Sequence, residues 1–116
     1  KILFAFMPQK RRDRILKNIH LAPLTPNSII DIDRFLDELD AVRKNGVAFD
    51  REESILGLSC VAAPVFNHSG ECVAAISLSG NSSRIDLMEK EITNAIKYIA
   101  LRISQQMGYR GGGFSL

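Results

Sequence analysis

Residues 57–79, GLSCVAAPVFNHSGECVAAISLS, restrict the fold more than any other stretch. Two runs rich in Val, Ile, Phe and small residues flank Asn67-His68-Ser69-Gly70, a cluster of turn formers. This pattern predicts a β-hairpin with arms Gly57–Phe66 and Glu71–Ser79. Side chains alternate faces along a strand. Val73, Ala75, Ser77 and Ser79 then share one face, and Cys72, Ala74, Ile76 and Leu78 the other. If the four-residue loop closes without a bulge, Phe66 opposes Glu71 and Cys60 opposes Ser77. Cross-strand partners lie on the same face, so Cys60, Ser77 and Ser79 form a small polar patch among apolar neighbours. Such a patch suits a pocket for a small polar ligand.

The hairpin needs a core around it, and 116 residues suffice for about one domain. A 46% hydrophobic and 24% charged composition is that of a folded globular chain. A formal net charge of +2 is too small to argue for nucleic acid. No apolar run approaches the ~18 residues of a membrane span, and no signal peptide is visible. Cys60 and Cys72 fall on opposite faces in the register above, so no disulfide is expected, which fits a cytoplasmic setting.

Upstream, Pro8 suits the first turn of a helix over Gln9–Ile19. Lys10, Arg11, Arg12, Arg14 and Lys17 crowd that helix and read as a solvated basic face. His20–Ile30, with Pro23 and Pro26, reads as an extended connection. Asp31 caps a helix over Ile32–Lys44, whose apolar stripe is Ile32, Phe35, Leu36, Leu39 and Val42. Asn45-Gly46 ends it with a left-handed cap. A short strand and the acidic loop Asp50-Arg51-Glu52-Glu53 lead into the hairpin. Beyond it, Asp86-x-x-Glu89 resembles a capping box for a long helix to Met107. Met88, Ile92, Ala95, Ile96, Ile99, Ile103 and Met107 recur at helical spacing and predict packing on the sheet. Gly108 stops the helix, and residues 110–116 read as a frayed tail.

AFDREES, GLSCVAAPVFNHSGECVAAISLSG and SSRI together resemble the effector-binding domain of the isocitrate lyase regulator (IclR) family of bacterial transcription factors. KILFAFMP and SQQMGY extend the resemblance over most of residues 1–109. It implies an α/β (α+β) fold, an antiparallel sheet flanked by helices in a GAF/profilin-like arrangement. It also implies a winged helix-turn-helix domain and the first strands of the sheet ahead of Lys1. The chain opens on KILFAF without a start methionine or cap, as a partial effector-binding domain would. The resemblance assigns Asp50, Cys60, Ser77 and Ser79 to the effector pocket. Asp50 would accept from a ligand hydroxyl while serine hydroxyls and backbone N–H groups hold a carboxylate. That chemistry favours a hydroxy, keto or sugar acid over an aromatic compound.

The expected partners are this small organic acid, further copies of the chain as a dimer or tetramer, and DNA through the absent N-terminal domain alone. No cofactor, metal or catalysis is expected. Three other readings stand beside the sensor. A nucleophilic Cys60 needs a base in reach, and His68 lies in the turn, ~20 Å along the hairpin. His20 lies in the connector. A zinc site built from Cys60, Cys72, His20 and His68 lacks closely spaced ligand pairs. The remaining alternative is a ligand-free interaction module using the apolar helices.

Overall fold

The computed structural model describes residues 1–111. Its elements are α1 (Ile2–Ala5), α2 (Gln9–Leu16), α3 (Ile32–Asn45), β1 (Ala48–Arg51), β2 (Leu58–Phe66), β3 (Cys72–Asn81), α4 (Ser82–Leu87) and α5 (Glu89–Gln106). The strands form an antiparallel sheet in the order β1-β2-β3. The α+β architecture expected from the sequence is what the chain adopts. The tail expected over 110–116 falls largely outside the described residues.

Two cores sandwich the sheet. Ile2, Ala5, Leu16, Phe35, Leu39, Val42 and Ala48 pack with α1, α2 and α3 on one face. Val61, Ala63, Val65, Ile85, Ile96 and Ala100 pack with α4 and α5 on the other. Alternation along β2 sends Val61, Ala63 and Val65 toward α5 and Ala62 toward α1. Pro64 lies in this middle strand without breaking it. The pairing of β1 ends at Ala62, two residues earlier, so a proline there meets a free edge.

Several local signals act as the sequence predicts. Asp31 Oδ1 accepts from the Asp33 N–H at 3.1 Å and caps α3. Gly46 takes a left-handed φ of 74° and donates to the Val42 carbonyl, which ends the helix. The basic helix is shorter than expected, ending at Leu16, and Pro8 sits at its N-cap.

Four expectations are corrected. First, the hairpin register differs. Phe66 pairs with Cys72, Cys60 with Ser79, and Ala62 with Ser77, with a register shift between Val65 and Phe66. The loop is one residue longer than expected and the bulge at Val73 adds one more, so β3 slides by two positions over most of its length. Face parity survives, so Cys60, Ser77 and Ser79 still share a face. Second, Cys72 does not face away from Cys60. It opposes Phe66 and packs against the α1/α3 core. Both cysteines are free, and their separation is along the strand, six ladder positions or roughly 20 Å.

Third, Asp86 caps nothing. Asn81 caps α4 instead, its Oδ1 accepting from Ser83 N–H at 3.0 Å, and the chain breaks at Met88 before α5 starts. Asp86 and Glu89 receive the Arg51 guanidinium, at 3.6 and 2.8 Å. Fourth, the α5 stripe is only half buried. Ile96, Ala100 and Ser104 face the sheet, whereas Ile99, Ile103 and Met107 remain exposed. The helix lies over β2, and β3 is covered on neither face over most of its length.

Leu39 is fully buried at the centre of the α1/α3 core. Leu39→Ala should cost about 2–5 kcal/mol, and Asp31→Ala about 1 kcal/mol. Urea unfolding of each variant measures both. A loss at Leu39 no larger than at Asp31 would contradict the core assignment.

Candidate effector site

On the α1 face, the sheet presents rows that cross its strands. Asp50 of β1 opposes Cys60 of β2, which opposes Ser79 of β3. In the next row Ala48, Ala62 and Ser77 stand side by side. Cross-strand partners share a face, so the four residues singled out in the sequence are gathered in two adjacent rows. Asp50 and Cys60 are half-buried, while Ser77 and Ser79 are exposed.

The N-terminal turn of α1 lies over these rows and leaves an open cleft of about 400 Å³. Lys1, Ile2, Leu3 and Phe4 form one wall. The opposite wall combines Asp50, Cys60 and Ser77 with three alanines, Ala48, Ala62 and Ala75. Small side chains keep this wall low, and the volume lies in the range of small-molecule sites. Ser79 lies outside the lining. Its Oγ sits 2.8 Å from Cys60 Sγ, so it acts on the cleft through the thiol.

Asp50 is committed inside its own loop. Its Oδ1 accepts from Glu53 N–H at 2.9 Å, and Oδ2 accepts from Ser54 Oγ at 3.4 Å. Glu53 receives Lys1 Nζ at 2.7 Å, and Lys1 also reaches Glu38 at 3.3 Å and the Phe49 carbonyl at 2.6 Å. Thr25 and Ser28 hydroxyls donate to the carbonyls of Glu52 and Glu53. Glu52 holds a left-handed φ of 58°, which a non-glycine residue adopts only under constraint. Its constraints are visible. Its N–H donates to the Leu58 carbonyl, and its carboxylate accepts from Gly57 N–H.

Sequence reasoning missed Lys1, the three alanines and the loop anchors Thr25 and Ser28. Alternation combined with the β1 register would have found the alanines. Nothing local signals Lys1, whose partners lie 37 to 52 residues away.

Cys60 Sγ lies 2.8 Å from the Ser79 hydroxyl, a poor base. His68 is exposed at the far end of the hairpin, beside Gly108. Among the described residues, no group of three or more His, Cys, Asp and Glu side chains is placed to hold a metal ion. No helix among them is long and apolar enough to cross a membrane.

The geometry therefore defines an α+β domain with an open cleft of small-molecule size set between a sheet and a short helix. The chain belongs to the family described as bacterial transcriptional regulator IclR C-terminal, whose profile matches residues 1–105. The DNA-binding transcriptional repressor YiaJ of Escherichia coli is 39% identical over 90 residues, which is 77% of this chain and 32% of that protein. The crystal structure of Thermotoga maritima IclR is 37% identical with a TM-score of 0.87, covering 92% of this chain and 44% of that one. A double mutant of the PobR inducer-binding domain from Acinetobacter, in complex with 3-hydroxybenzoic acid, is 26% identical. Its TM-score is 0.80, and the match covers 88% of this chain and 59% of that domain. The chain spans 26% to 44% of the length of the curated relatives it matches.

Cys72 offers a chemical check on the hairpin. Burial raises its thiol above the usual range, outweighing the opposing effect of backbone hydrogen bonds at Ala74 and Val65. A raised value leaves less thiolate at a given pH. In a Cys60→Ser background, iodoacetamide at mildly alkaline pH should label Cys72 more slowly than free N-acetylcysteine. Labelling at the free-thiol rate would contradict its packing against the α1/α3 core.

Proposed function

We propose that the chain is the ligand-sensing part of a cytoplasmic transcriptional regulator. It binds a small hydroxy, keto or sugar acid in the cleft between α1 and the sheet, and controls DNA binding through a separate winged helix-turn-helix domain. The observation that carries this reading is the convergence of Asp50, Cys60 and Ser77 on one cleft with a wall of alanines. The relatives are named as transcriptional repressors and regulators, which supports the regulatory role. The 3-hydroxybenzoic acid of the PobR domain carries one hydroxyl and one carboxylate, which this donor set suits, but on an aromatic ring that the reading for this chain does not favour.

The roles within the cleft follow from the bonding. Ser77 Oγ makes no hydrogen bond within the described residues and offers its proton to a ligand carboxylate. Cys60 contributes a thiol oriented by Ser79. Asp50 accepts from a ligand hydroxyl with a carboxylate already steered by Glu53 N–H. The domain extends over 1–109, with 110–116 as its tail, and strands contributed from elsewhere in the regulator complete the site beside β3. That strand exposes Ala75, Ser77 and Ser79 on the cleft side. The regulator self-associates as a dimer or tetramer, so that a ligand bound in each copy favours one arrangement of the DNA-binding domains.

A screen of small organic acids by thermal shift, followed by calorimetric titration, tests the proposal. A binder at 100 times its Kd should add roughly 2.7 kcal/mol to stability. Ser77→Ala should then lower affinity by about ten- to 150-fold, equivalent to roughly 1.5–3 kcal/mol, with little change in melting temperature. Ser79→Ala should weaken binding less, because its hydroxyl acts through Cys60. A drop in melting temperature for both variants with unaltered affinity would remove these serines from the site.

A further inference from the structure

Lys1 is the one cation among the described residues that line the proposed cleft. A cation in that place would ordinarily be assigned to the carboxylate of the ligand. Its bonds point elsewhere. An ammonium carries three N–H donors and no acceptor. Lys1 Nζ lies 2.6 Å from the Phe49 carbonyl, 2.7 Å from Glu53 Oε2 and 3.3 Å from Glu38 Oε1. Each donor thus has a protein acceptor, supplied by β1, by the loop after it and by α3. The side chains of Lys1 and Glu53 are only 13% and 18% exposed, so salt and water screen this pair less than a surface pair.

Glu53 carries the effect onward. Its Oε2 also accepts from Arg51 N–H at 3.2 Å, and its own N–H donates to Asp50 Oδ1 at 2.9 Å. The residue that Lys1 holds by its carboxylate is therefore the residue that holds Asp50 by its amide. Asp50 keeps capacity for a ligand. A carboxylate has about four lone-pair sites, and its two oxygens accept one bond each here, from Glu53 N–H and Ser54 Oγ.

We infer that Lys1 is a positioning residue for Asp50, acting through Glu53, and not a contact for the ligand carboxylate. The inference rests on the sensing role proposed above, in which Asp50 accepts from a ligand hydroxyl. Lys1 is also the N-cap residue of α1. One amine thus ties the helix that walls the cleft to the loop that aims its acceptor. Discrimination in favour of a ligand hydroxyl then depends on a side chain that touches no ligand atom.

Two measurements on the full chain distinguish a tether from an anion contact. Amide hydrogen exchange needs no ligand. Lys1→Met should speed exchange of the Glu53 N–H by roughly tenfold, as loss of a charged hydrogen bond implies. A smaller rise is expected at Arg51 N–H, with none at Ala100 in α5. Lys1→Arg should restore part of the protection. Glu53→Gln, which keeps the amide and weakens the pair, should act in the same direction as Lys1→Met. Unchanged exchange at Glu53, or a rise shared by Ala100 in both Lys1→Met and Glu53→Gln, would overturn the inference. The second measurement is calorimetric titration with lactate and propionate, which differ by one hydroxyl. The parent chain should prefer lactate, and Lys1→Met should abolish most of that preference. Loss of the cation alone lowers both affinities together, so a preference retained in full would overturn the inference. A parent chain that does not prefer lactate, with Glu53 exchange still raised by Lys1→Met, would uphold the tether and remove Asp50 as the hydroxyl acceptor.

Discussion

The structure depends on β2 being the strand paired on both sides. Val61, Ala63 and Val65, all 4% exposed or less, lock it to α5. Its other face gives Cys60 and Ala62 to the cleft beneath α1. A strand has two faces, and each residue is assigned to one by alternation alone. The same nine residues thus build one hydrophobic core and one wall of the site, and a change in register would damage both. Ser59 reinforces that register. It is buried among apolar neighbours with its hydroxyl 2.8 Å from that of Ser82, which ties β2 to the start of α4.

Much of this was legible before the fold. The hairpin, the α3 caps and the shared face of Cys60, Ser77 and Ser79 rest on local rules of turn chemistry and period. The errors arise where local rules compete. A turn sequence does not reveal a bulge, because the extra residue, Val73, lies within β3 between Cys72, opposite Phe66, and Ala74, opposite Val65. Asp86 and Glu89 have the spacing of a capping pair, yet Arg51 on a different element takes both. The α5 stripe has the width of a helix buried on a broad sheet. The described sheet has three strands, and α5 rests mainly on the middle one. Periodicity reports what a helix is built to bury, and tertiary structure decides which part meets a partner.

The cleft shows how small side chains keep space open between a sheet and a helix. Alanines at 48, 62 and 75 contribute almost no chemistry. They keep the floor low beneath α1, and they cost little side-chain entropy on folding. In the proposed site, polar recognition would fall to a few groups held by neighbours: Cys60 Sγ lies 2.8 Å from Ser79 Oγ, and Asp50 accepts from the Glu53 N–H.

The loop that follows β1 is cross-braced throughout. Asp50, Glu52 and Glu53 each bond within it, and Lys1, Thr25 and Ser28 bolt it to the helix ahead and to the connector. With Glu52 held in the left-handed region and its neighbours bonded to Lys1, Thr25 and Ser28, the loop presents the Asp50 carboxylate on a braced support rather than on a freely hinged flap. A shift of that carboxylate would strain bonds that reach α1 and the connector.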